Sequence, residues 1–332
     1  MIAEFQMSLA IFASSQLQER QKTLDAVWQT ETRSTPSATE WLPILVGEAL
    51  MKAKRLTVRK NGRFTGFDVT TDPTLTNEFA AAAFRVGHAM VSSSFSQMTA
   101  DFGALEKIKL GDTFFRGNRV YDKGTVENVL RGLTGQSGKM VESSVTAELA
   151  GRLFNTPKKP ERGFDLVSLN IQRGRDHGLP GYMKWRTQCK LTTANTFDEL
   201  KDLKILPDDL VEKLTTLYES VEDIDLFPAG IAEIPEDGSM IGPTFSCIIT
   251  EQFQRLRSGD RFWYENDNAL PSRLTDGQLA SIRQTTIASI LCQSQSGIES
   301  VQKCVFEAIS DTTPRVACSD ISPLNLDPWI GI

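Results

Sequence analysis

Apolar positions recur along most of the chain at the three-to-four-residue spacing of amphipathic helices, and strict alternation is scarce. From Asn77, the residues Phe79, Ala82, Ala83, Val86 and Met90 keep that spacing. Asn77 is a suitable cap and Gly103 a later stop, so a helix is predicted from 77 onward. Lys139 to Phe154 predicts another, through Met140, Val141, Val145, Leu149 and Leu153. Thr196-Phe197-Asp198-Glu199 and Thr275-Asp276-Gly277-Gln278 have the capping-box pattern, in which two side chains satisfy the free N–H groups of a helix start. Leu279, Ile282, Ile287, Ile290 and Leu291 extend the second box as a buried stripe. Pro207 before Asp208 and Asp209 starts a further helix, with acidic side chains where the helix dipole favours them. Only Val58 to Asp68 alternates enough for a short hairpin, and loops are expected at Gly132 to Gly138 and Phe227 to Asp237. With no internal repeat, these elements predict a mainly α fold in a single domain.

Composition narrows the function classes. An apolar fraction of 40% beside 23% charged residues is enough to build a core in a 332-residue chain. The net charge of −6 argues against a nucleic-acid binder, which would carry a basic face. No apolar run approaches the roughly 18 residues that span a bilayer. Met7 to Ala13 is apolar enough for a short signal-peptide core, but Glu4 stands where a positive charge belongs. There is no Asn-x-Ser/Thr acceptor. The five cysteines, at 189, 247, 292, 304 and 318, include no Cys-x-x-Cys pair, which argues against a zinc or thioredoxin-like centre. They permit two disulfides and a spare thiol, or five buried thiols.

Candidate chemistry is sparse. The only histidines are His88 and His177, and no Gly-x-Ser-x-Gly elbow, His-Glu-x-x-His pair or Walker loop is present. His88 lies on the helix predicted from 77, where Ala81, Arg85, His88 and Ser92 share a face. Small residues around an imidazole, with a guanidinium one turn away, suit a flat macrocycle bearing ionised carboxylates. They equally suit an ordinary buried histidine. A second segment, Asp165 to Pro180, places Asn170, Gln172, Arg173, Arg175, Asp176 and His177 directly after an apolar turn. Such a cluster is costly to bury without partners, so it is either a binding site or an ion-pair lattice.

Residues Leu169 to Arg186, reading LNIQRGRDHGLPGYMKWR, resemble the signature of the animal haem peroxidases, the family of myeloperoxidase, thyroid peroxidase and peroxinectin-like enzymes. Asn77 to Met90 (NEFAAAAFRVGHAM) resembles that family's proximal helix, and Glu40 to Gly47 the segment before it. Val221 to Phe227 (VEDIDLF), Arg257 to Asn266 (RSGDRFWYEN) and Pro323 to Trp329 (PLNLDPW) fit in the family's order. The resemblance spans roughly 38–329 and implies a mainly α, peroxidase-like helical domain there, with 1–37 a poorly matched segment.

The resemblance implies haem b, with His88 as proximal iron ligand. It makes Asn170 the acceptor of a hydrogen bond from the His88 Nδ1–H, and Arg85 and Arg173 the contacts of the haem propionates. His177 is then scaffold. Cys189 pairs with Cys247 and Cys292 with Cys318, leaving Cys304 free, and the disulfides imply a secreted, oxidising setting. The implied reaction is the hydrogen-peroxide-dependent oxidation of a small reducing substrate: a halide, phenol or tyrosine. The family's distal histidine and arginine, its calcium loop and its haem-esterifying acids lie upstream of the matched blocks. Their absence from this chain is expected to cost about 10²–10⁴-fold in turnover. Two other readings therefore stand beside the enzyme: a catalytically silent haem-binding or cell-surface interaction module, and a truncated gene product.

Overall fold

The computed structural model describes residues 37–330 except 157, 160, 161, 268–270, 272, 295 and 296. The signal-peptide reading at Met7 to Ala13 and most of the 1–37 segment lie outside the described residues. The fold is mainly helical, with two small antiparallel pairs, Ser94–Phe95 with Ile108–Lys109 and Ser300–Gln302 with Arg315–Ala317. Among the described residues no helix is long and apolar enough to cross a membrane.

The 17-residue helix Pro243–Gly259 runs through the largest core. Pro243 opens it, where a missing N–H costs nothing. Phe245 and Ile249 are fully buried against Leu42, Leu45, Tyr182, Leu200, Leu206 and Phe227. Helix Leu226–Ala232 packs between this helix and Leu166–Asp176. A second core joins Leu130 and Leu133 to Ala288, Leu291, Ile298 and Val301.

Two buried ion clusters lock these helices. The Glu233 carboxylate accepts from the Tyr182 hydroxyl (2.6 Å), the Arg186 guanidinium, the Thr244 N–H (2.6 Å) and the Thr244 hydroxyl (2.7 Å). It thereby caps the start of Pro243–Gly259 with negative charge. A Cβ at Gly242 would stand 2.4 Å from the Glu233 Cβ, so glycine alone permits this approach. Glu265, fully buried, bridges Arg257 (2.8 Å) and Arg283 (3.0 Å). The disulfides Cys189–Cys247 and Cys292–Cys318 are present, closing 58 and 26 residues. Each contributes about 4 kcal/mol on the chain-entropy model. Cys304 is unbonded, and burial raises its thiol to about 11, which leaves it inert.

Several predicted elements differ. The helix from 77 is three pieces, Asn77–Ala81, a 3-10 turn Ala83–Val86 and Gly87–Met90, with Thr76 rather than Asn77 in the cap position. It stops at Met90, well before Gly103, because β-branched Val91 and Ser92–Ser94 favour extended backbone. Lys139 to Phe154 yields only Ala147–Ala150, capped by the Thr146 hydroxyl; Ser143 and Ser144 interrupt the pattern and Met140 is exposed. The stripe 279–291 divides into Asp276–Gln284 and Ile287–Gln293, since Thr285 turns extended and Thr286 caps afresh. The Thr275 box forms fully, whereas Glu199 of the other box bonds the Asn195 N–H instead of the Thr196 N–H. Pro207 does start the helix Asp208–Leu217. Val58 to Asp68 makes no hairpin; its one bridge is Phe64 with Asn266. Gly132–Gly135 and Phe227–Ala232 are helical rather than loop, because packing outweighs the propensities of Gly and Pro.

Replacing Glu233 by Ala leaves the buried Arg186 charge unpaired, and is expected to destabilise the fold by about 3–5 kcal/mol in urea unfolding. A loss below about 1 kcal/mol would mean the cluster does not hold the fold. A second test concerns Glu40, which accepts from the N–H of Ile287, the first residue of helix Ile287–Gln293 (3.0 Å). Burial raises its carboxyl from 4.5 to about 7, against the opposing Ile287 bond. The folded protein then binds the proton more tightly than the unfolded chain, so this contribution is complete below pH 4.5 and fades as pH rises to about 7. Glu40→Gln should flatten the pH 5-to-7.5 difference in stability by on the order of 1 kcal/mol; an unchanged profile contradicts this assignment.

Candidate functional site

The site is built where the broken 77–90 segment meets helix Leu166–Asp176. Helix Asn77–Ala81 ends as Ala82 leaves helical backbone (φ −134°, ψ −72°), and the tighter turn Ala83–Val86 follows. Ala81, Ala82, Ala83 and Ala89 are all buried; with no side chain beyond Cβ, they let this segment pack closely. The break brings the Arg85 guanidinium back along the chain, where Nε donates to the Ala80 carbonyl (3.0 Å). His88 lies half-buried on the last helical piece.

Helix Leu166–Asp176 starts at Asp165, whose carboxylate accepts from the Val167 N–H (2.9 Å) and the Ser168 hydroxyl (2.7 Å). Asn170, one turn in, is fully buried. Its Nδ2 lies 2.9 Å from His88 Nδ1, across 82 residues of sequence, and its Oδ1 accepts from Arg85 Nη1 (2.9 Å). One amide therefore joins the imidazole to the guanidinium. Burial, then the Arg85 charge, lowers the His88 pKa to about 4, with the Asn170 bond opposing, so the ring is neutral at neutral pH. Burial also lowers Arg85, with the Arg173 charge adding to it, so two guanidinium groups share one field. Arg173 pairs only with half-exposed Asp176 (3.0 Å).

The rest of the 170–177 cluster is turned elsewhere. Arg175 makes a two-bond pair with Asp225 (3.0 and 2.6 Å), which also accepts from the Tyr218 hydroxyl (2.8 Å). His177 is exposed, with Nδ1 3.3 Å from Asn77 Oδ1. The cluster thus divides into a buried contact of Asn170 with His88 and Arg85 and a surface lattice around Arg175.

A neutral imidazole with Nδ1 engaged by protein leaves Nε2 for a metal centre, and paired guanidinium groups suit carboxylates. Phe84 and Leu169, the chain neighbours of Arg85 and Asn170, are each about two-fifths exposed, large apolar surfaces that a flat macrocycle could cover. Among the described residues no group of three or more His, Cys, Asp or Glu could hold a bare metal ion, so the donor set fits one axial bond to a ready-made complex. The sequence did not disclose the Arg85–Asn170 bond, nor that the amide faces His88 with its nitrogen rather than its oxygen. Arg85 claims the oxygen, and nothing in the spacing of 85 and 170 signals that contact.

The profile of the animal haem peroxidases matches residues 31–306. Human peroxidasin homolog is 39% identical over 293 residues, 87% of this chain and 19% of the relative. A peroxidase of Drosophila melanogaster is 35% identical over 88% of this chain and 42% of its own length. Among solved structures, peroxidase A of Dictyostelium discoideum superposes with a TM-score of 0.69 at 30% identity, covering 83% of this chain and 49% of that one. A fatty acid alpha-dioxygenase of Oryza sativa shares the fold, with a TM-score of 0.62 at 18% identity. The chain thus spans well under half the length of these curated relatives and about half of the solved peroxidase. It belongs to the animal haem peroxidase family.

Proposed function

We propose that residues 38–329 form the proximal half of a haem peroxidase site. His88 Nε2 is the axial iron ligand, Asn170 the partner of Nδ1, and Arg85 and Arg173 the contacts of the haem propionates. The observation that carries this reading is the 2.9 Å contact between Asn170 and His88 Nδ1, which holds the ring through Nδ1 so that Nε2 is the nitrogen left for iron once the ring is in the Nδ1–H form. When bound, haem b supplies the redox chemistry by which hydrogen peroxide oxidises a halide, phenol or tyrosine.

The chain's own residues bind and tune that group. His88 is neutral at physiological pH, so ligation needs no change in the net charge of the ring, only that the lone pair stand on Nε2. With haem bound and the amide turned, an Nδ1–H···Oδ1 bond to Asn170 would make the imidazole a stronger donor and hold its plane. The buried Asn170 excludes water from that bond. Arg85 and Arg173 neutralise two carboxylates that would otherwise lose hydration against an apolar wall. The disulfides and the likeness to peroxidasin homologues support an extracellular location.

One observation favours a second reading for the chain taken alone. Its other histidine, His177, sits at the surface beside Asn77, so it is not poised to move a peroxide proton. Haem binding without turnover, as a silent haem-binding or interaction module, is then the behaviour expected of these residues by themselves.

Hemin titration of the purified chain should give a saturable Soret band that His88→Ala abolishes and Asn170→Ala weakens by about 10–100-fold in affinity. A Soret band indifferent to both substitutions contradicts the assignment. Guaiacol turnover of the hemin-loaded chain divides the two readings: rates at the level of free hemin favour the silent module, and rates well above it favour the enzyme.

A further inference from the structure

We propose that Arg85 is a positioning residue that, through the Asn170 amide, holds His88 in a tautomer unable to take iron, and that its departure to a carboxylate of the incoming group releases His88. The proposal rests on the reading of His88 as a haem ligand. It follows from which atoms can accept. A guanidinium only donates, so the atom of Asn170 that meets Arg85 Nη1 at 2.9 Å must be the oxygen. The amide NH₂ is thereby turned onto His88 Nδ1 at 2.9 Å, and it too only donates. His88 Nδ1 must then be the accepting nitrogen. A neutral imidazole carries one proton, which therefore sits on Nε2, the nitrogen needed for iron.

Loading requires the opposite arrangement, with the lone pair on Nε2, the proton on Nδ1 and the Asn170 oxygen facing it. Turning the amide while Arg85 stays would set Nδ2 against Nη1, two donors face to face around a residue with no exposure. The amide can turn only as Arg85 leaves. Two features ease its departure: the Arg173 charge already acts on it, and its remaining bond, from Nε to the Ala80 carbonyl, lets the guanidinium pivot. A haem carboxylate supplies an anionic partner in place of Oδ1. The protons balance: Nδ1 takes a proton from water, Nε2 gives one to water, and the ring is neutral before and after the exchange.

The test begins on the haem-free chain, with the nitrogen-15 shifts of His88. Wild type should hold the Nε2–H tautomer. Arg85→Leu should move it substantially to Nδ1–H, whereas Arg85→Lys, also a pure donor, should keep the wild-type form. Asn170→Asp accepts on both oxygens, so it should give Nδ1–H whatever stands at 85. Stopped-flow hemin association should follow the same order. Arg85→Leu should bind about tenfold faster than wild type, as expected when one charge-assisted hydrogen bond no longer has to break first, and Arg85→Lys close to wild type. In the Asn170→Asp background, Arg85→Leu should add no acceleration. An Nδ1–H tautomer in the haem-free wild type overturns the latch, as does hemin association in Arg85→Leu no faster than in wild type. A specific Soret band surviving His88→Ala instead overturns the underlying ligand assignment, with the haem-free tautomers unaffected.

Discussion

The buried Asn170 amide is the contact on which the candidate site depends. It stands between an imidazole and a guanidinium that belong to a different stretch of chain, and it satisfies both at 2.9 Å. Among the described residues neither partner has another side chain to replace it: Arg85 otherwise holds the Ala80 carbonyl, and His88 Nδ1 has this bond alone. An amide is suited to the position because it offers one donor and one acceptor on a planar fork. Aspartate would offer acceptors alone and leucine neither.

The scaffold exists to keep that amide still. Asp165 fixes the start of its helix, and helix Leu226–Ala232 packs against the same element. The C-cap of that second helix is Glu233, whose cluster ties Tyr182, Arg186 and Thr244 into one buried network. The disulfide Cys189–Cys247 then joins the end of Tyr182–Gln188 to Pro243–Gly259. A shift of the Leu166–Asp176 helix would have to disturb this packed assembly, whose interior has no slack for continuous adjustment. On the other side, the buried alanines 81–83 allow close approach, and the break at Ala82 precedes the turn that carries Arg85 to Asn170.

The sequence disclosed the helical class and the helix starts at Pro207 and Thr275; resemblance rather than spacing named His88 and Asn170 together, and the structure brings them to 2.9 Å with the amide nitrogen, not the expected oxygen, at Nδ1. What it concealed has a common cause. The 77–90 spacing is helical throughout, yet the backbone breaks at Ala82, because alanines carry no side chain whose packing would reveal the turn. Lys139 to Phe154 reads as a stripe, but Ser143 and Ser144 offer the backbone other partners. Phe227 to Asp237 reads as a loop from Pro228 and Gly230, yet tertiary burial of Leu226, Phe227 and Ile231 makes its first part helical. The amide orientation at Asn170 depends on a contact 85 residues away in sequence, beyond any local pattern.

In the proposed site the axial donor is His88, tuned by Asn170. Resonance Raman of the hemin-loaded chain after reduction reads that bond directly through the iron–imidazole stretch. The expected band is lost in His88→Ala, falls in frequency in Asn170→Ala as the imidazole becomes a weaker donor, and is unmoved in His177→Ala. A band that persists in His88→Ala, or disappears in His177→Ala, would contradict it.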